Sequence, residues 1–129
     1  MANLEQQRAQ LAYDHVSQVK DCPEADRKKY ATLVHKLPAL ISSAGLCQAL
    51  HFVETRPESQ RVLLEHLGRQ LMRIDPNIRT TELLLKAVRT AELTTYLRLT
   101  REAAACASWY RRMVQGVLKL EAGDCNDET

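Results

Sequence analysis

Residues 36–53 read KLPALISSAGLCQALHFV. The stretch holds one lysine and no acid, yet Pro38 and Gly45 interrupt it. Upstream, Tyr30, Leu33, Val34, Leu37, Ile41 and Ala44 recur at three- and four-residue intervals, the apolar stripe of an amphipathic helix. Pro38 falls inside that stripe. A proline lacks the amide donor, clashes with the carbonyl four residues back, and pushes Leu37 away from helical geometry. The expectation is a helix kinked or broken at Pro38. Gly45 stands where a left-handed C-terminal cap is wanted, with Leu46 able to fold back as the hydrophobic contact of a Schellman motif. A short helix over 47–54 then starts in a new direction, so Pro38 and Gly45 are corners that let apolar segments wrap one core.

The rest of the chain carries the same period. Leu4, Leu11, Ala12, Val16 and Val19 mark a first helix, which DCPEAD at 21–26 ends, with Pro23 suited to the first turn of the next. Thr55 and Glu58 have capping-box spacing ahead of Leu63, Leu64, Leu67, Leu71 and Met72. DPN at 75–77 closes that helix, and Thr80 or Thr81 caps another bearing Leu83, Leu84 and Val88. A short segment with Leu93, Tyr96 and Leu97 follows. Thr100 then caps a last long helix, with Glu102 near its positive end and Ala103, Cys106, Ala107, Tyr110, Val114, Val117 and Leu118 on its buried side. No alternating strand pattern is present, and the chain is rich in good helix formers. The fold expected is all-α, a compact bundle of about six helices. Residues 1–120 form one domain, and 121–129 an acidic, disordered tail.

Charge is unevenly spread. The net formal charge is +2, but the last nine residues, EAGDCNDET, hold four acids and no base, so the body carries +6. A mildly basic body suits an anionic partner, or is an ordinary solvated surface, and falls short of a dedicated nucleic-acid binder. Cys22, Cys47, Cys106 and Cys125 form no CxxC pair. With the polar opening MANLEQQRAQ and no apolar run of membrane-spanning length, they indicate reduced thiols and a cytoplasmic protein.

No catalytic constellation emerges. Cys47 and His51 are four apart and share a helix face, but a zinc site needs three or four ligands and no second pair exists. A core cysteine beside a boundary histidine accounts for both. Asp14 and His15 are adjacent, so they do not face each other on a helix. His35 and His66 stand alone, and no phosphate loop, dinucleotide fingerprint, HExxH or EF-hand pattern occurs. The chain reads as a non-enzyme with no metal and no cofactor.

The excess base lies in stripes. Arg101, Ala105, Ser108, Arg112 and Lys119 share one side of the last helix, flanked by Arg111. Small residues between arginines leave a flat surface that a phosphate chain can approach. Trp109 sits at the boundary, as packing or as a stacking face. Lys29, Thr32 and Lys36, with Lys28 adjoining, share a face of the second helix, and Arg69 and Arg73 are four apart on the fourth. Each stripe is either a solvated face or, if they converge, part of a non-specific phosphate track.

Two segments carry a family likeness. RKKYATLVHK leads into Leu37-Pro38, Leu40-Ile41, Gly45-Leu46, Gln48, Leu50 and Phe52; later come Tyr96, Thr100, Glu102, Ala103, Trp109, Arg111 and Arg112. In order and spacing they resemble the small subunit of type III-B CRISPR effector complexes, the Cmr small-subunit family, over about residues 5–118. Ala44 stands where the family often has a polar residue, and Met113 where an aromatic usually follows the basic pair. The resemblance implies a non-catalytic subunit of the Cmr RNA-silencing complex in antiviral defence. Its partners would be the other Cmr subunits, above all the crRNA-binding backbone subunit, together with crRNA and target RNA and copies of itself in a short filament. It marks Leu37, Pro38, Gly45, Leu46 and Trp109 as the structural motif. Two alternatives stay open: a helical protein–protein adaptor, and a type III-A-like small subunit without direct RNA contact.

Overall fold

The computed structural model describes residues 2–124. Among them lie six α-helices and no strand: α1 (Leu4–Val19), α2 (Glu24–Ala44), α3 (Leu46–Glu54), α4 (Glu58–Leu71), α5 (Thr81–Thr90) and α6 (Leu93–Met113). A π-helical turn, Val114–Leu118, and a 3-10 turn, Ala122–Asp124, follow. Cys125 and the rest of the acidic segment expected at 121–129 lie outside the described residues.

Helix α1 starts on a capping box between Asn3 and Gln6, each side chain accepting from the other's backbone amide. Asn and Gln make the same reciprocal bonds as the better-known Ser and Glu. By contrast, the box expected at Thr55 and Glu58 does not form: the Thr55 hydroxyl donates back to the Phe52 carbonyl, and α4 begins after Pro57 without a side-chain cap. Thr80 does cap α5, accepting from the Leu83 amide at 3.1 Å.

Pro38 does not break α2, which runs 21 residues through it. The proline costs about 3 kcal/mol in a helix interior. Against this, Leu33, Val34, Leu37 and Ile41 stay on one buried line on both sides of it, and burying each such side chain contributes about 1.5–3 kcal/mol. The corner lies at Gly45. Its φ of +93° is positive as expected, but its ψ is 159°. That extended left-hand region is open essentially to glycine alone. The chain therefore turns straight into α3 with Leu46 as its first residue, and the Gly45 amide donates to the Ile41 carbonyl at 3.1 Å in place of a Schellman pattern.

The short segment at 93–97 and the final helix are one helix. Thr100 is mid-helix, its hydroxyl donating to the Tyr96 carbonyl, rather than a cap. α6 is the long central element and packs on α1, α2, α4 and α3, while α5 rests on α3 and α4. Leu99, Ala103, Cys106, Ala107 and Tyr110 of α6 are sealed in a continuous core with Leu37, Leu46, Leu50, Leu63, Leu67 and Val16. Lys119 adopts a left-handed conformation, and the Leu120 carbonyl then accepts from His35 Nε2 at 3.0 Å, tying the end of the described chain to α2.

Candidate nucleic-acid interface

With one side of α6 in the core, its other side is solvent. That side presents Arg98, Arg101, Ala104, Ser108, Arg111 and Arg112, all exposed. Arg101 and Arg112 are eleven residues apart, close to three whole turns, so they share a face about 16 Å apart along the axis. Between them only Ala104, Ala105 and Ser108 project. The single acid of α6, Glu102, points the opposite way and is 4% exposed. None of the four arginines pairs with a carboxylate among the described residues. The result is a flat cationic strip, fixed by a buried helix, with no internal counter-charge.

Glu102 is not the helix-end acid read from the sequence. It accepts from Arg8 Nε at 2.8 Å and Nη2 at 2.7 Å, and from Arg73 Nη1 at 2.9 Å. Hydrogen bonding from Arg8, stronger than the opposing burial, holds its carboxyl below the usual carboxylate range. Arg73 also donates to the Gln70 side chain and approaches Cys106 Sγ at 3.9 Å. Arg73 is thus engaged in clamping α1, the end of α4 and α6 together. Arg8, 94 positions away from Glu102, is the partner that local spacing could not reveal.

The other basic residues occupy separate places. Lys28 pairs with Glu24 at 3.4 Å. Lys29 is exposed beside α4, its carbonyl accepting from Gln60 Nε2. Thr32, expected on the same open face, is buried, its hydroxyl donating to the Lys28 carbonyl. Lys36 is half-buried and Arg69 is exposed on α4. Trp109 is half-buried against the core.

The histidines do not stand alone. His15 of α1 and His66 of α4 stack with ring centroids 4.1 Å apart in the core. His15 Nδ1 lies 2.6 Å from the Tyr110 hydroxyl, and His66 Nδ1 lies 2.7 Å from the Tyr30 hydroxyl. Burial, with Arg69 adding to it, pushes His15 down to about 4; burial, with His15 adding to it, pushes His66 down to about 3. His51 is committed elsewhere, to Glu54 at 2.9 Å and Arg89 at 3.3 Å, and neither ring nitrogen is bonded to Cys47. No three His, Cys, Asp or Glu side chains among the described residues are placed to hold a metal ion. No helix is long and apolar enough to cross a membrane.

The two family-like segments meet in space. The Tyr96 hydroxyl accepts from the Cys47 amide at 3.0 Å, capping α3, and lies 3.5 Å from where a Cβ on Gly45 would sit. Glu102 anchors the clamp, and Leu37 and Leu46 are fully buried. Most of the motif therefore encodes the bundle, leaving Arg111 and Arg112 as its outward part. Fold and surface together define a small all-α protein with an unpaired arginine strip and, among the described residues, no cluster of three or more His, Cys, Asp or Glu placed to hold a metal ion.

Comparison with known proteins gives the family. The model of the CRISPR-associated protein family Cas_Cmr5 matches residues 4–117. A Thermus thermophilus protein described as CRISPR system Cmr subunit Cmr5 is 38% identical over 112 residues, covering 86% of this chain and 92% of that protein. The crystal structure of a CRISPR-associated Cmr5 family protein, also from Thermus thermophilus, superposes with a TM-score of 0.80 at 39% identity, over 92% of this chain and 99% of that one. The chain belongs to the Cmr5 family.

Proposed function

We propose that this chain is the non-catalytic small subunit of a type III-B Cmr ribonucleoprotein, acting in the cytoplasm in antiviral defence. It packs beside the crRNA-binding backbone subunit and supports the guide–target RNA duplex. Copies of the chain line up in a short filament. The observation that carries the RNA part is the α6 strip: Arg98, Arg101, Arg111 and Arg112 exposed, the helix's one acid buried. Such a strip contacts phosphates without reading bases, as a subunit serving many guide sequences requires. Lys28, Lys29, Lys36 and Arg69 are secondary contacts in this reading, and Arg73 acts through the clamp.

A protein contact is favoured at the other end of the same helix. Leu93 is 72% and Leu97 45% exposed, one turn apart. We assign that end to a neighbouring subunit. Native pull-down of a tagged full-length chain tests the whole reading. A multi-subunit complex with short guide RNAs sharing a 5′ end is expected. Recovery of proteins with no RNA would replace it with the helical-adaptor reading.

A further inference from the structure

A small cavity opens where the end of α1 and the start of α2 meet α4. It measures about 170 Å³ and is lined by Gln18, Val19, Cys22, Asp26, Ser59, Val62 and His66. The Arg27 guanidinium holds the corner in shape by donating to the Cys22 carbonyl at 2.6 Å.

The chemistry is set by His66, which is 4% exposed. The Tyr30 hydroxyl is fully buried and has His66 Nδ1 as its hydrogen-bond partner among the described residues. A buried hydroxyl donor left without an acceptor costs about 1–3 kcal/mol, so Tyr30 donates to Nδ1. The ring proton then resides on Nε2. Nε2 has no partner among the described residues, and unlike His35 Nδ1 it is not sealed from solvent. His66 is itself one of the residues that line the cavity. Asp26, on the first turn of α2, brings a carboxylate with no ion pair among the described residues. Val19 and Val62 supply apolar walls. The lining thus combines an N–H donor and a carboxylate acceptor with apolar walls, which suits a flat heterocycle carrying an acceptor and a donor of its own.

We propose that this cavity binds a single six-membered heterocycle of the pyrimidine type, held between His66 Nε2–H and the Asp26 carboxylate. A cavity of about 150 Å³ takes a benzene-sized ring, so one ring fits and a purine's second ring does not. Uracil offers a carbonyl to His66 and its ring N–H to Asp26; cytosine offers its ring nitrogen and its amino group. The inference stands apart from the α6 strip and does not rest on it. The ring's source is either a free nucleoside or an unpaired nucleotide in an RNA.

The test is NMR on the isotope-labelled full chain, titrated with uridine, cytidine and adenosine into the millimolar range. Saturable shifts at the Cys22, Asp26 and Ser59 amides and the His66 ring are expected with the two pyrimidines. Affinity should fall about tenfold or more in Asp26→Ala, which removes a charged acceptor, and in Val62→Trp, which fills the space. A uridine hexamer separates the sources: tighter binding than uridine through the same resonances assigns an unpaired nucleotide, and equal binding assigns a free ligand. Absence of saturable shifts, equal shifts with adenosine, or unaltered binding in Val62→Trp overturns the site. Because Arg101→Glu and Arg112→Glu leave this cavity intact, uridine shifts that persist in that variant keep the two proposals separable.

Discussion

Acid should loosen this bundle well before carboxylates titrate, because two neutral imidazoles are stacked in its core. His15 falls to about 4 and His66 to about 3, burial being the larger cause for each. In the unfolded chain both titrate near the ordinary histidine value, 6.5. A group whose folded value is depressed is protonated preferentially in the unfolded state, so stability falls with pH below the unfolded value. The contribution is complete above pH 6.5, declines from there through about 4 for His15 and about 3 for His66, and is exhausted below. Linkage gives a loss of about 2 kcal/mol per histidine at pH 5, or about 4 kcal/mol together, a large part of a typical 5–15 kcal/mol domain stability. Glu102 adds nothing in that window. Its depressed carboxyl keeps its stabilisation above the unfolded value of 4.5 and loses it only as pH falls further. Urea unfolding followed by circular dichroism between pH 7.5 and 5 measures the slope. His15→Phe keeps a flat ring against His66 and leaves the Tyr110 hydroxyl with Gln70 and the His66 carbonyl, so it should about halve the slope. A stability that is constant within about 1 kcal/mol across that range, or an NMR titration placing either ring near 6.5, would refute the reasoning.

Three further outcomes follow from the same structure. Gly45→Ala should cost about 1–3 kcal/mol, because the glycine-only backbone angles are the obstacle and the Tyr96 hydroxyl at 3.5 Å is only an ordinary contact; thermal melts read it. Glu102→Ala leaves Arg8 and Arg73 facing each other without a counter-ion and should cost about 3 kcal/mol or more, whereas removing one outward arginine of α6 should stay within about 0.5 kcal/mol. Cys106, its thiol pushed up to about 12 by burial and then by Glu102, should resist thiol reagents in the folded protein while half-buried Cys22 and Cys47 react; labelling followed by peptide mass spectrometry distinguishes them.

What the sequence made legible was whatever has a local period. The stripe through Leu33, Leu37 and Ile41, the Gly45 corner and the Thr80 cap are all short-range signals, and each lies where its spacing put it. Helix ends read from polar residues alone went astray at Thr55 and Thr100, where a hydroxyl bonds back to a carbonyl and tertiary packing carries the helix onward. Pro38 leaves α2 unbroken for the same reason. The surface was half legible: helical spacing puts Arg101 and Arg112 on one face with Arg111 flanking it. The inward turn of Arg73 depends on Glu102 and Arg8 in distant segments, as the stacking of His15 on His66 depends on helices 51 residues apart. Pairing between elements is what a single sequence leaves hidden.

The central claim is that the α6 strip holds RNA phosphates within a Cmr assembly. Its most direct test is the salt dependence of target-RNA binding by the reconstituted complex, carrying either the native chain or Arg101→Glu, Arg112→Glu. Two lost phosphate contacts in each copy should lower the log-affinity against log-salt slope by about one unit per contact, with the complex still assembled and the thermal melt of the isolated subunit unchanged. An identical slope and affinity in a fully assembled complex would contradict the claim and leave the strip a solvated face.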